Sequence, residues 1–527
     1  MINRLLKNRV LWLCSIAFFA TLLIGQNWDF SLNHVFTSSK ENVSLAFIEQ
    51  LAQTGNLPVA LNHSFENPIL QTALTPRDAT QLNGAVTPQT FPAVLFFYGL
   101  FMALSKPLII LVTPLIFAFI IWFYYKITKK IFGEKTAFYS SAFLILLPNF
   151  LYLGTSLISD DLLSLLFLLI GLDRFLAKKM PSSALAFGLS VLFRLSNAIW
   201  VLPFVMYSLF KVTDKKTFPS WKNFALSVFA FLLPVVFILL INIRLYGDVL
   251  TSGYSIQYPI ISEIIGSSTS LFSGTLADFL RQIFNYLIFL FPFSVVLAVH
   301  LLVKNFKSLP KKFPLFLTIS TFIFLFLTWQ YAGSIFWGHK VAVLNSSFLR
   351  YTLPFYLFVP LLSVLSTFQL KPKLQKIFIP ILATSFVLTA LFFRGGLIEK
   401  RTQLVDGMQI QKQILATTNS NTLVISQNID KYIYPKREVL ISALLRDKKA
   451  FGYTKVSPWE APLDQKMLSQ TLSDLQKNNE PALVIFENSE RLDQVALQLA
   501  QVSLKLEHQW TYKNISAYNV ANFKSNN

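Results

Sequence analysis

The chain has 527 residues, 54% of them hydrophobic and 14% charged, with a mean hydropathy of +0.52, a single cysteine and a formal charge of +20. A soluble protein of this length would carry roughly twice that charged fraction, so the composition excludes an ordinary soluble globular chain and points to an α-helical polytopic membrane protein. One cysteine, Cys14, excludes a disulfide framework or a cysteine-built metal site within the chain.

Apolar segments recur at roughly 9–25, 107–125, 136–153, 161–177, 182–194, 196–210, 223–243, 279–303, 313–330, 351–368 and 377–394, which predicts about eleven transmembrane helices. The first has a basic start, but Gln26-Asn27-Trp28-Asp29 follows it with no small-residue cleavage pattern, so it reads as an uncleaved signal anchor. Between the segments the basic residues fall into clusters around Arg4, Lys126, Arg174, Lys211, Lys304 and Lys371. With these spans every cluster lies on the side of the N-terminus, 21 Lys and Arg in all against nine in or beside the loops of the opposite face up to Arg394. The positive-inside rule then places the N-terminus in the cytoplasm of a cell whose plasma (inner) membrane holds the protein. The basic excess is an orientation signal, and no nucleic-acid partner is expected.

A polar loop from Gln26 to Leu104 follows the first segment. Its middle, SSKENVSLAFIEQLAQTGNLP (Ser38 to Pro58), has apolar residues at helical spacing up to Gly55, with Glu41 at the start of the helix. The loop closes on an apolar run, Phe91 to Leu104, too short to cross a bilayer, which is expected to lie on or dip into the membrane surface. Three further outer loops carry Asp160 and Asp161, then Tyr254, then His339, Lys340 and Arg350. Loops bearing aromatic and ionisable groups are where function concentrates.

Beyond Arg394 no span-length apolar run remains. Residues 395–527 read as helix (403–416), strand (422–426), helix (438–446), helix (465–477), strand (482–486), helix (491–501), then an alternating stretch from Leu504 to Val520. That is a small C-terminal α/β domain, extracytoplasmic because the span count is odd. It contains no Gly-rich phosphate fingerprint, HExxH or GxSxG.

Each candidate also has an ordinary reading. Glu41 suits the first turn of any solvated helix, and an N-cap accounts for one of Asp160 and Asp161. Arg350 heads a span, where snorkelling is the default. Arg194, between two short spans, needs a lipid phosphate or an outer acid as partner. His339 and Lys340 read equally as loop residues, and Tyr254 as packing.

Several stretches in order resemble the GT-C integral-membrane glycosyltransferases, of the lipopolysaccharide-core and dolichyl-phosphate-mannose type. These are an acid-bearing first-loop helix (SSKENVSLAFIEQLAQTGNL), a proline-aromatic run (TPQTFPAVLFFYGLFMAL), an acidic pair (ISDDLLSLLFLL), an arginine helix (VLFRLSNAIWVLPF), a tyrosine-glycine loop (IRLYGDVLTSGYS) and an arginine-tyrosine span start (FLRYTLPFYL). The resemblance covers nearly all of residues 1–394 and implies a transmembrane catalytic domain there. It also implies transfer of a sugar from a polyprenyl-phosphate donor to a glycan, lipid or protein acceptor on the extracytoplasmic face, with inversion.

The catalytic residues it implies are Glu41, Asp160 and Asp161, with Arg350, Arg194, His339, Lys340 and Tyr254 on the substrate and the use of a divalent metal left open. The family opens its first-loop helix with Asp, where this chain reads Ser39-Lys40-Glu41, so Glu41 takes the acid's place. The chemistry needs a carboxylate to accept the acceptor's proton and cations beside the departing phosphate, a task that suits the arginine fork. A transporter and a catalytically inactive lipid- or glycan-binding relative are the alternatives. A transporter would show midplane charges and internal repeats, and this sequence has neither.

Overall fold

The structure is a computed structural model describing residues 9–25, 35–63, 74–76, 78–89, 91–212, 221–251, 253, 275–305, 309–310, 313–332, 343–344, 346–426, 429–441, 465–478, 480–486, 492–501 and 504–522. All eleven apolar stretches fall on helix. Among the described residues, four helical runs are long and apolar enough to cross a membrane: Lys106–Phe132, Trp221–Tyr246, Phe313–Gln330 and Pro372–Thr417. Two bent pairs bring this to six if each is one span, Glu134–Leu146 with Pro148–Gly154 (64°) and Leu276–Phe289 with Pro292–Val303 (96°). Both bends fall at a proline, which offers no N–H to the preceding turn and so releases the helix direction. Arg9–Gly25, Met180–Phe193, Leu195–Met206 and Leu353–Gln369 are shorter apolar helices.

The chain forms two compact units. The first comprises Met1–Gln26, Leu100–Leu250 and Tyr258–Lys400; the second comprises Asn27–Gly99, Thr251–Gln257 and Arg401–Asn527.

In the first unit, helix Asp160–Leu176 packs against both Ile109–Phe132 and Met180–Phe193, and Met180–Phe193 packs in turn against Trp221–Tyr246. Small residues permit the close approach, as in membrane bundles generally. A Cβ on Gly171 would stand 2.4 Å from the Phe187 ring, and one on Gly188 would stand 2.7 Å from the Phe231 carbonyl oxygen. Helix Trp221–Tyr246 leaves Phe229, Leu232, Leu233 and Leu240 exposed, an apolar surface suited to lipid.

The second unit holds two sheets. Strands β1 (Val59–Ala60), β2 (Ala79–Leu82) and β3 (Ala85–Pro88) form an antiparallel sheet in the order β1-β3-β2. The turn between β2 and β3 is Asn83-Gly84, with φ of 52° and 77°, the positive pair that a tight hairpin turn requires.

Strands β4 (Leu423–Ser426), β5 (Val439–Ile441), β6 (Ala482–Phe486), β7 (Leu504–Tyr512) and β8 (Ile515–Asn522) form a sheet ordered β5-β4-β6-β8-β7. β4 runs parallel to β5 and β6, while β8 is antiparallel to β6 and β7. One face of this sheet packs Leu423, Ile425, Val484 and Phe486 against Leu468 and Leu472 of helix Gln465–Lys477 and Leu499 of helix Leu492–Gln501. The other face packs Val424, Leu483 and Ile485 against Ile410 and Ile414 of helix Leu397–Thr417. Two loop residues join these cores, Leu74 on the first face and Val35 on the second.

The expected helix at 438–446 is not formed where it is described: Val439–Ile441 is strand β5. Its apolar run is short, and periodicity alone does not separate a short buried strand from a buried helical turn. Pairing with β4 supplies the backbone partners that decide it.

Candidate active site

The acidic pair begins helix Asp160–Leu176, and Ser159 caps that helix by accepting from the Leu162 N–H at 3.2 Å. Both acids lie in the first turn, where the helix dipole favours negative charge, and both are buried.

Arg194 reaches them from the end of helix Met180–Phe193. It is the C-cap residue, extended at φ −156° and ψ 107°, and the 3₁₀ turn Leu195–Asn197 follows it. Its terminal nitrogen Nη1 donates to Asp160 Oδ2 at 3.0 Å and to Asp161 Oδ1. Nε donates to the Ser196 hydroxyl at 3.0 Å, and the guanidinium lies 4.5 Å over the Tyr351 ring. All three charged side chains are at most 7% exposed.

A second tier fixes the two helices beneath the ion pairs. Ser190 donates to the Ser164 carbonyl at 2.8 Å, Asn197 donates to the Ser190 hydroxyl at 3.0 Å, and Ser164 donates back to the Asp161 carbonyl at 3.0 Å.

Arg350 belongs to the short helix Ser347–Tyr351, capped by Ser346, ahead of the helix Phe358–Gln369. Asp161, Arg194 and Asp160 all act on it electrostatically. The carbonyl of the next residue, Tyr351, accepts from Trp200 Nε1 at 3.1 Å. Asp160, Asp161 and Arg194 therefore form one buried cluster, and the partly buried Arg350 lies in its field.

The turn before Ser159 is held independently. Thr113 donates to the Leu157 carbonyl at 2.7 Å. Lys400 Nζ donates to the hydroxyls of Thr155 and Ser156, each at 3.3 Å, and lies 4.5 Å over the Tyr152 ring. Lys400 is buried, and the sequence reading missed it, because a lysine in the run Ile398-Glu399-Lys400-Arg401 looks like any solvated helix residue.

Glu41 belongs to the other unit. It lies half-buried in the first turn of helix Ser39–Thr54, which Gly55 ends in the left-handed conformation. The residues around Glu41 are anchored. Ser39 donates to Asp78 Oδ2 at 2.6 Å, and the fully buried Asn42 donates through Nδ2 to the Asp430 carbonyl at 2.8 Å. Tyr254, His339 and Lys340 lie outside the described residues.

Among the described residues no three His, Cys, Asp or Glu side chains gather where a metal ion could be held. The Asp160–Asp161 pair is already bridged by the Arg194 guanidinium, and two carboxylates so engaged do not fit a metal.

No protein-family description matches the chain, and no curated protein does. Solved structures do. ArnT from Cupriavidus metallidurans bound to undecaprenyl phosphate aligns with a TM-score of 0.58 at 14% identity, over 97% of this chain and 97% of that one. The same protein in the apo state gives 0.55 at 12% identity, over 97% and 98%. The likeness runs the length of both chains and is one of fold: this chain shares the fold of that protein.

Proposed function

We propose that the protein is an integral-membrane glycosyltransferase that moves a hexosyl or pentosyl group from a polyprenyl-phosphate-linked donor to an acceptor hydroxyl on the extracytoplasmic face of the plasma membrane. The observation that carries this reading is the buried Asp160–Asp161–Arg194 cluster with the partly buried Arg350 in its field, at the head of apolar helices, in a chain with the fold of a protein crystallised with undecaprenyl phosphate. In the proposed topology all eleven apolar segments cross or enter the bilayer, the N-terminus is cytoplasmic, and the first loop and the sheet-bearing tail are extracytoplasmic. The orientation rests on the one-sided distribution of Lys and Arg.

In the transfer, the acceptor oxygen forms a bond to the anomeric carbon as the bond from that carbon to the phosphate oxygen breaks, with inversion. The hydroxyl proton goes to a carboxylate, and the electron pair leaves with the lipid phosphate. Glu41 is the proposed base. Asp160 and Asp161 are engaged with Arg194, which makes them better suited to orienting than to proton transfer. Arg350 meets the charge that develops on the phosphate, and His339, Lys340 and Tyr254 are assigned to substrate on the family resemblance. The acceptor is a glycan, a lipid or a protein hydroxyl.

The test is incubation of detergent-purified protein with a panel of radiolabelled polyprenyl-phosphate sugars and cell-envelope acceptors. Transfer that is abolished in Glu41→Gln and in Arg350→Gln supports the proposal. Solute flux in proteoliposomes without any sugar transfer would replace it with transport.

A further inference from the structure

The second unit contains a device that ends directly behind Glu41. The one-turn helix Asp430–Ile433 follows β4, and its first carbonyl, that of Asp430, accepts from Asn42 Nδ2 at 2.8 Å. Asn42 follows Glu41 in the chain and is 0% exposed, and Asp430 is 1% exposed, so this bond is fully withdrawn from solvent. A second bond runs alongside it, from the Phe36 N–H to the Lys431 carbonyl at 3.4 Å.

Behind that turn, Gln411 of helix Leu397–Thr417 donates to the Tyr432 carbonyl at 2.6 Å. Tyr432 fits there because residue 407 is glycine. A Cβ at Gly407 would stand 2.6 Å from the Tyr432 ring and 3.0 Å from Val35. On the other side of Glu41, Ser39 donates to Asp78 Oδ2 at 2.6 Å. The residues two before and one after the acid are thus tied to two different segments, which fixes the rotation of the helix's first turn.

We propose that the C-terminal sheet serves as a positioning element for Glu41, acting through the turn Asp430–Ile433, with Asn42 as the positioning residue. This rests on the reading of Glu41 as the base. A carboxylate held at a helix N-terminus keeps its aim only while that first turn is fixed, and a misplacement of about 1 Å costs roughly a hundredfold in rate. The arrangement assigns a task to the tail, which carries no catalytic motif of its own.

The experiment compares Asn42→Ala, Ser39→Ala and Glu41→Gln in full-length protein, measuring kcat and the KM for the polyprenyl-phosphate sugar. The expected result for Asn42→Ala is a kcat lower by about ten- to a hundredfold with an unchanged donor KM, the split that a misaimed base produces and a lost binding surface does not. Ser39→Ala, which opens no buried cavity, should show the same pattern more weakly and decides the matter if Asn42→Ala does not fold. The proposal is overturned if both variants keep the wild-type kcat, or lose it only through a raised donor KM, while Glu41→Gln is inactive. Retained transfer in Glu41→Gln would instead overturn the base assignment beneath it.

Discussion

Arg194 Nη1 donates to Asp160 and to Asp161 at once, so a single guanidinium bridges both members of the acidic pair inside the helical unit. Removing that cation leaves two adjacent carboxylates buried without it, and breaking such a pair from one side costs about 3–5 kcal/mol. Arg194→Met should therefore lower the thermal unfolding temperature of the detergent-solubilised protein by more than either Asp160→Asn or Asp161→Asn. The triple variant should recover part of the loss, because no buried carboxylate is then left without its cation. Equal melting temperatures for Arg194→Met and wild type would show that the ion pairs do not persist in the folded protein.

Arg350 lies in the field of the same three charged groups, but in the proposed reaction it meets the departing phosphate. Its planar fork can address two phosphate oxygens together, which a lysine ammonium cannot. Arg350→Lys should keep the fold and lose about tenfold or more in kcat, and Arg350→Gln about a hundredfold or more. Binding of polyprenyl phosphate, followed by intrinsic fluorescence, should weaken in the same order. Unchanged lipid binding in Arg350→Gln would remove the residue from the phosphate.

The acidic pair and Arg194 were legible in sequence because charges in apolar surroundings are costly and need partners, and Arg194 was expected to find either a lipid phosphate or an outer acid. The structure gives it the acids. Strands β4, β6, β7 and β8 were legible from alternation and bounded apolar runs. The small sheet of the first loop was missed, although Asn83-Gly84 between Gln81-Leu82 and Ala85-Val86 is a hairpin signal. Periodicity could not show Leu74 sharing a core with Leu423 and Leu468, or Val35 with Val424, because such contacts join segments far apart in the chain. Lys400 stayed hidden for a similar reason: its partners Thr155 and Ser156 are set by tertiary packing and not by its neighbours in sequence.

His63 and Glu438 predict a pH dependence of stability. Glu438 accepts from the His63 ring at 2.5 Å and from the backbone N–H groups of Asn62 and His63. The hydrogen bond to Glu438 raises the His63 pKa above its ordinary 6.5, outweighing burial, which lowers it. A raised pKa means the folded state holds the proton more tightly than the unfolded chain. The stabilisation is therefore complete below about pH 6.5 and is lost as the pH rises through the folded value. The denaturant midpoint of the second unit, followed by hydrogen exchange of the sheet amides, should fall between pH 6 and 9 in the wild type. In His63→Gln it should be flatter, and a wild-type midpoint that rises over that range would contradict the pairing.

Lys400 tests whether the turn ahead of the acidic pair must be held for activity. Its ammonium is buried against two hydroxyls and the Tyr152 ring, while Thr113 secures the Leu157 carbonyl two residues before the Ser159 cap. Replacing it with methionine keeps the stem's volume and removes charge-assisted bonds of about 1.5–3 kcal/mol. Because Thr113 and Ser159 remain, the helix itself should survive, and the change should appear as faster exchange of the amides from Leu157 to Leu163. A lower kcat should accompany it if the turn aims Asp160. Lys400→Arg, which retains charge and donors on a stem of similar reach, should restore both. Slow exchange in Lys400→Met together with lost activity would mean that the ammonium acts on substrate and not through the turn.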